Sequence, residues 1–354
     1  MKPHFSRERF IFLAFLSLIL TVSMALALQK PTQVSVLKQI IFEHSLGQWI
    51  IASIGLGAIA IYVFLSHRQE QFYRAWLLIN TAQGLPGDCG RKLAIEQLKN
   101  SGVNLSGISA AGAGLNGIHL RHGILRRANL QNTDLSDSVL QGADLTGACM
   151  RGSILRAANG VDAIATQADL HHSDLSRSNF SGAQFQKARL TQVCLIEGKL
   201  THATLTHSYC DRAYFELADC RKSCWHQADL QGTQFIECDF RHAQFESANL
   251  TSSYFLRSNL SYASLVKTQL IKANLSGCNL QHTCLANANL ENADLRNADL
   301  TGADLRHANL EGIAWNEHTK WERAKGLETA QGVPQAWHHP RLDFRVSRVV
   351  RHVG

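Results

Sequence analysis

From Ser101 to Trp315 the sequence repeats every five residues, and no insertion shifts the register anywhere in these 215 residues. The stretch divides into 43 blocks, of which 28 end in Leu and seven in Phe, and 22 have Ala at the third position. This period matches neither the 3.6 residues of an α-helical turn nor the alternation of a long strand. A leucine every five residues would rotate by about 140° per step around an α-helix and form no stripe. The repeat therefore excludes a helical bundle or a coiled coil.

Each block has the pattern of one very short strand followed by a bend. The third and fifth positions lie two residues apart, so their side chains point to the same side, and both are apolar or small. The fourth position is Asn or Asp in 20 of the 43 blocks, and these side chains bond to nearby backbone and favour turns. We therefore predict that the chain buries positions three and five and winds into a solenoid.

The unit resembles that of the pentapeptide-repeat family, A-[DN]-L-x-x, and the segment Ala288 to Leu300 shows it plainly. The resemblance implies an all-β solenoid, specifically a right-handed quadrilateral β-helix with one block per face and four faces per coil. Residues 20 apart would then stack. Forty-three blocks would make nearly eleven coils and a rod of roughly 50 Å at the ~4.8 Å spacing of neighbouring strands.

Stacking at intervals of 20 predicts aromatic columns inside the middle coils. The predicted columns are Phe215, Phe235 and Phe255; Phe185, Trp225 and Phe245; and Phe180, Cys220 and Phe240. Four cysteines occupy leucine or alanine positions and are predicted to be buried: Cys210, Cys220, Cys238 and Cys278. All nine cysteines are interpreted as free thiols, because their number is odd and their spacing irregular.

Two places depart from the repeat. Gly160 and Ala165 stand where Leu is expected, so an under-filled or bulged corner is predicted near them. Trp225 is large for an interior position and is expected to widen its coil. Each departure is interpreted either as a tolerated irregularity or as a binding feature.

Two uncharged stretches precede the repeat, at residues 10–28 and 46–65. Each has about the length needed to cross ~30 Å of hydrocarbon as a helix, and the flanking basic residues favour a hairpin with both chain ends inside. Residues 1–68 are therefore predicted to be a two-span membrane anchor. The prediction places the protein in the bacterial inner membrane, multi-pass, with the lipid bilayer as a partner and the repeat domain in the cytoplasm. Two alternatives remain open: the first stretch as a cleaved signal peptide, or both stretches as buried core helices.

The remaining segments flank the repeat. Residues 69–100 are predicted to form a helical connector and N-terminal cap, with helices at 69–81 and 91–100. The β-helix is assigned to 101–315, and 316–354 to a C-terminal cap and basic tail, because Trp315 and Trp321 resemble the closing segment of such solenoids. Residues 341–353 are interpreted either as an amphipathic helix on an anionic membrane or as a frayed tail.

The charge is divided unevenly along the chain. The formal net charge is +7, but residues 101–315 hold 18 Lys and Arg against 19 Asp and Glu. A surface that binds nucleic acid would need basic residues concentrated along its main length. Nucleic acid is therefore not expected as a partner.

No motif for catalysis, a cofactor or a metal ion is found in the sequence. The 17 histidines scatter over turn positions without a paired Cys or carboxylate spacing. We predict a membrane-tethered scaffold that presents a rod-like surface for protein–protein interaction, with an unknown protein partner and no enzymatic activity. Two alternatives are a topoisomerase-binding DNA mimic, which would need a strongly acidic rod, and a secreted membrane-inserting effector.

Overall fold

The computed structural model describes residues 45–82 and 87–333. The chain divides into two compact units, one up to Phe72 and one from Tyr73 onward. The described elements, in chain order, are α1 (Ser45–Thr81), α2 (Arg91–Asn100), β1 (Cys194–Ile196), β2 (Tyr214–Glu216) and β3 (Gln234–Ile236). The rest of the repeat is built from isolated parallel β-bridges.

Helix α1 corrects the predicted membrane anchor. It runs for 37 residues without interruption, so it continues past Leu65 through His67, Glu70 and Arg74. Within residues 45–82 and 87–333, no helix is long and apolar enough to cross a membrane. This finding contradicts the predicted span at 46–65. It also contradicts the predicted multi-pass location in the inner membrane with a cytoplasmic repeat domain, and the lipid bilayer as a partner. The predicted span at 10–28 lies outside the described residues.

Helix α2 covers the open edge of the first coil. Its buried side chains are Arg91, Ala94, Ile95 and Leu98, whereas Leu93 is 61% exposed. The guanidinium of Arg91 donates to the carbonyl oxygens of Gly87 (2.5 Å), Asp88 (3.2 Å) and Ala111 (3.4 Å). Arg91 thus ties the segment before α2 to the first coil through hydrogen bonds to both.

The coils repeat every 20 residues. Four parallel bridges define one coil step: Ser109 with Asn129, Gly114 with Asp134, His119 with Val139, and Ile124 with Asp144. Each bridging strand bonds to both neighbours; Asp134 N–H donates to Ala113 O (2.9 Å) and Leu135 N–H to Ile154 O (2.7 Å). Four five-residue blocks per coil therefore form a quadrilateral β-helix, as the resemblance to the pentapeptide-repeat family implied.

The second residue of every block adopts a left-handed backbone conformation. All 43 of these residues have φ between +53° and +73°, and 12 of them are glycine. A left-handed conformation costs about 1–2 kcal/mol for residues with a Cβ, and most for β-branched ones. No Val, Ile or Thr occupies this position in any block. The turn between faces therefore excludes β-branched residues from position two.

The interior confirms the predicted aromatic columns in the middle coils. Ring centroids of Phe215 and Phe235 lie 5.0 Å apart, and those of Phe235 and Phe255 lie 4.7 Å apart. Trp225 stacks on Phe245 at 5.9 Å, with its indole N–H donating to the Ser223 hydroxyl at 2.6 Å. The four cysteines predicted to be interior are buried.

The corner at Gly160 is filled, which corrects the prediction of an under-filled or bulged site. The ring of Phe180, one coil further along the same face, occupies the space into which a side chain at residue 160 would point. Asn159 keeps its regular bridges to Val139 and Asn179, so the backbone does not bulge. Ala165 is also buried. The ring of Phe180 thus compensates for the missing side chain of Gly160 on the preceding coil.

Bridging continues beyond the regular repeat. Asp299 pairs with Lys320 and Asn309 with Gln331, so the last coil is one to two residues longer than the others. Trp321 is buried in this coil, and the Thr319 hydroxyl donates to Leu295 O at 3.0 Å. The described chain thus closes with an enlarged coil, and the predicted tail at 341–353 lies outside the described residues.

Candidate functional site

Apolar side chains at the surface cluster along one edge of the middle coils, which we call the apolar edge: Leu217, Tyr254 and Leu256 are exposed, and Tyr214 and Ile236 are half-buried. Leu217 is 50% exposed, Tyr254 51% and Leu256 41%. These residues lie on successive coils, because Tyr214, Gln234 and Tyr254 are in register across β2 and β3 and the next coil. The edge therefore presents several apolar side chains together.

The backbone is more regular beneath the apolar edge than elsewhere in the described repeat. Strands β1, β2 and β3 form a parallel three-stranded sheet there and extend one residue into the following block. The Tyr214 hydroxyl donates to the Glu216 carboxylate at 2.8 Å, and this bond is the main reason that the pKa of Tyr214 is raised. A flat, ordered sheet thus supports the exposed side chains.

Charged pairs border the apolar edge. The column of second-position residues through Leu217 continues to Glu197 on one side and to Glu237 on the other. Glu197 pairs with Arg177 at 3.0 Å and Glu237 with Arg257 at 3.5 Å. An apolar centre with a polar rim is the usual anatomy of a protein interface.

A second feature lies at the following corner of the same coils, four to five residues further along the chain. We call it the basic corner; it is a groove of about 430 Å³ lined by Thr201, His202, Arg221, Lys222, Arg241 and His242. Lys222 is exposed, and its ammonium has no ion-pair partner within residues 45–82 and 87–333. The groove therefore concentrates three positive charges.

The two arginines of the basic corner are fixed by neighbouring aspartates. Arg221 donates from Nε (2.8 Å) and Nη2 (2.7 Å) to Asp219, and Arg241 from Nε (3.0 Å) and Nη2 (2.7 Å) to Asp239. Burial alone would raise the pKa of Asp219, but the hydrogen bonds from Arg221 outweigh it and the pKa is lowered. The pKa of Arg221 is correspondingly raised. Both guanidinium groups are thus held in place and remain charged.

His202, Lys222 and His242 of the basic corner are second-position residues that stack at intervals of 20. Beyond His242, the same column continues with the rings of Tyr262 and His282. The ring centroids of His242 and Tyr262 lie 5.3 Å apart, and those of Tyr262 and His282 lie 5.0 Å apart, each pair at 18°. Gly302 follows in the same column, where a Cβ would strike the His282 ring. Both faces of the Tyr262 ring are therefore covered, and this ring offers only its edge rather than a platform for stacking a base.

No group of His, Cys, Asp and Glu in the described part of the chain could hold a metal ion. The adjacent rings of His171 and His172 lie 3.9 Å apart in a turn, tilted by 55°. The assignment of no catalytic, cofactor or metal residue stays a prediction.

Sequence reasoning identified neither the apolar edge nor the basic corner. The signal was present in the repeat: leucines and isoleucine at turn positions 217, 236 and 256, and basic residues at 221, 222 and 241. Reading the outward positions at intervals of 20, as was done for the interior, would have grouped them.

The comparisons with known proteins give a family match and partial structural likenesses. The family model for pentapeptide repeats matches in eight copies, at residues 101–137, 125–156, 163–201, 213–251, 238–277 and 273–312, which together cover more than half of the chain. No curated protein sequence matches the chain.

Three solved structures share parts of the fold. HetL, a pentapeptide repeat protein involved in heterocyst differentiation regulation from the cyanobacterium Nostoc sp. strain PCC 7120, is 29% identical over 62% of this chain and 93% of its own, with a TM-score of 0.43. Rfr23 from the cyanobacterium Cyanothece 51142 is 35% identical over 28% of this chain and 64% of its own, with a TM-score of 0.21. QnrB1, a plasmid-mediated fluoroquinolone resistance protein, is 16% identical over 51% of this chain and 92% of its own, with a TM-score of 0.31. With the repeat matched over this length, the chain belongs to the pentapeptide-repeat family, and its repeat region is a right-handed β-helix.

Proposed function

We propose that the β-helix works as a non-catalytic binding surface for a partner protein, which it contacts through the apolar edge. The observation that supports this function is the grouping of Leu217, Tyr254 and Leu256, each at least 41% exposed, within three successive coils. Single exposed apolar residues are ordinary, whereas clusters with a polar rim mark interaction sites. Tyrosine is enriched in interfaces because it combines a large apolar ring with a polar hydroxyl.

The alternative of a topoisomerase-binding DNA mimic has no specific observation in its favour. A DNA mimic needs a strongly acidic surface, whereas residues 101–315 are nearly neutral and include the basic corner. Inhibition of gyrase supercoiling by the protein would contradict this interpretation.

Site-specific photo-crosslinking tests the proposed function. A photoreactive amino acid replaces Gln234, which is exposed and lies in register between Tyr214 and Tyr254, in the full chain in cells that produce it. We expect a discrete protein adduct that is lost when Leu217→Asn and Tyr254→Ser are combined in the crosslinking variant.

A matched control uses Ile124→Ser with Tyr209→Ser, because these two apolar residues are 42% and 52% exposed on other faces. The control is expected to keep the adduct. Failure to form any protein adduct, or an adduct equally abundant in the edge variant, would contradict the proposed function.

A further inference from the structure

We propose that the basic corner binds a short acidic segment, about three residues long, of the partner protein. This inference rests on the proposed function and adds the chemistry of a second contact. The basic corner and the apolar edge border the same face of the same coils: Leu217 and Lys222 are five residues apart, as are Ile236 and Arg241. One partner could therefore reach both.

The arginines of the basic corner keep hydrogen-bond donors for a ligand. Arg221 and Arg241 use Nε and Nη2 on Asp219 and Asp239. In the described part of the chain, Nη1 of neither arginine makes a hydrogen bond. A guanidinium that is already fixed loses little freedom when it meets a carboxylate.

Lys222 supplies the charge that the aspartates do not neutralise. Lys222 follows Arg221 on the same coil, is exposed, and has no ion pair among the described residues. His202 and His242 line the groove on either side of it. Charge-assisted hydrogen bonds from such groups to carboxylates are stronger than those between neutral partners.

The size of the groove favours a peptide over a nucleic acid. The groove spans three successive coils, or two coil spacings of ~4.8 Å, which is about 10 Å and accommodates about three extended residues at ~3.3 Å each. Single-stranded nucleic acids occupy about 4–16 nucleotides on a binding domain and use free aromatic faces. Here both faces of the neighbouring Tyr262 ring are covered by His242 and His282, and Asp219 and Asp239 interrupt the positive charge.

Fluorescence anisotropy with a defined probe tests the inference. The probe is a labelled peptide with three consecutive glutamates flanked by Gly and Ser, titrated with the full chain at low salt. We expect saturable binding that falls by about tenfold or more in Lys222→Glu, since the substitution reverses the charge at the centre of the groove. Glutamate already occupies this repeat position, with positive φ, at residues 197 and 237, so the variant is expected to fold.

Lys272→Glu is the matched control. Lys272 is also exposed, stands at the second position of its block with φ +56° against +57° for Lys222, and lies at a different corner. A second variant, Arg241→Gln, keeps the groove shape and is also expected to weaken binding. Equal loss in Lys272→Glu, unchanged binding in Lys222→Glu, or no binding by the unmodified chain would overturn the proposal. Tighter Lys222-dependent binding of an oligothymidylate of equal charge would overturn the assignment to a protein partner.

The two proposals fail in different ways. Leu217→Asn with Tyr254→Ser is expected to abolish the crosslinked adduct and to leave binding of the acidic peptide unchanged. If the acidic peptide does not bind while the adduct still depends on the apolar edge, the proposed function stands and the role of the basic corner is wrong.

Discussion

At the scale of single residues, the pairing of Gly160 with Phe180 shows how a departure from the repeat is compensated one coil away. The Phe180 ring fills the volume that a leucine at residue 160 would occupy. The sequence identified the anomaly at Gly160 but not its solution, because the repeat alone does not say which way the ring of Phe180 turns. Packing at interior density requires that the two positions be considered together.

A double-mutant cycle tests this compensation. Gly160→Leu is expected to lower the free energy of unfolding by about 1–3 kcal/mol through overpacking, and Phe180→Leu by a similar amount of about 1–3 kcal/mol through the cavity that it leaves. Together they restore two stacked leucines, so the double variant is expected within about 1 kcal/mol of the unmodified protein. Additive losses, measured by chemical denaturation, would show that the two residues do not share one volume.

Because buried thiols ionise less readily in the folded state, the free energy of unfolding depends on pH in the alkaline range. Burial raises the pKa of Cys210 from 9.0 to about 12, so between these values the folded state keeps a proton that the unfolded state loses. The free energy of unfolding is therefore expected to fall as pH rises from 9 to 12, by about 1.4 kcal/mol per pH unit for this group. Cys210→Ala should remove that share of the slope.

The control for this slope is Leu230→Ala, one coil further along the same interior column. Both substitutions create a cavity, but only the first removes an ionisable group. Identical pH dependence of denaturation in the two variants would show that the Cys210 thiol does not ionise differently on unfolding.

At the scale of elements, the five-residue pattern allowed the burial of positions three and five in a solenoid to be predicted directly, and the 20-residue coil with its interior columns through the family that the pattern resembles. It did so because positions three and five carry one constraint 43 times. The apolar edge was missed because Leu217 and Leu256 occupy turn positions, where no single block shows them to be neighbours. The predicted span at 46–65 was wrong: it is part of the longer helix α1, which continues through His67, Glu70 and Arg74, and no helix of the described residues is long and apolar enough to cross a membrane. The predicted span at 10–28 lies outside the described residues.

The cap formed by α2 depends on Arg91, which is fully buried. Arg91→Met is expected to lower the free energy of unfolding by about 1–3 kcal/mol, because three backbone carbonyls lose a donor. It is also expected to promote concentration-dependent association, since an uncovered strand edge pairs with other chains. Denaturation and light scattering measure the two effects, and Lys99→Met, on the same helix but not buried, is expected to show neither.

At the scale of the whole molecule, different positions of the repeat serve folding and binding: the inward side chains stabilise the β-helix, and the outward side chains are available to contact a partner. Positions three and five are buried in coil after coil, so the outward positions can vary without disturbing the coil, as at Leu217 and Tyr254. Stability in such a solenoid comes from contacts between neighbouring coils. The two proposed contact surfaces lie on coils with the largest aromatic core, formed by residues such as Phe215, Trp225 and Phe235, which gives them rigid support.

The central claim is that 20 residues make one coil and that each coil advances the chain by one strand spacing. Electron–electron distance measurements between spin labels on unnatural amino acids test it directly, with labels at second-position residues of one corner. Arg127 paired with Gln227 spans five coils and should give a backbone separation of about 24 Å, and Arg127 paired with Lys267 spans seven and should give about 34 Å. Separations that do not grow by about 5 Å for every 20 residues would contradict the coil and every surface derived from it.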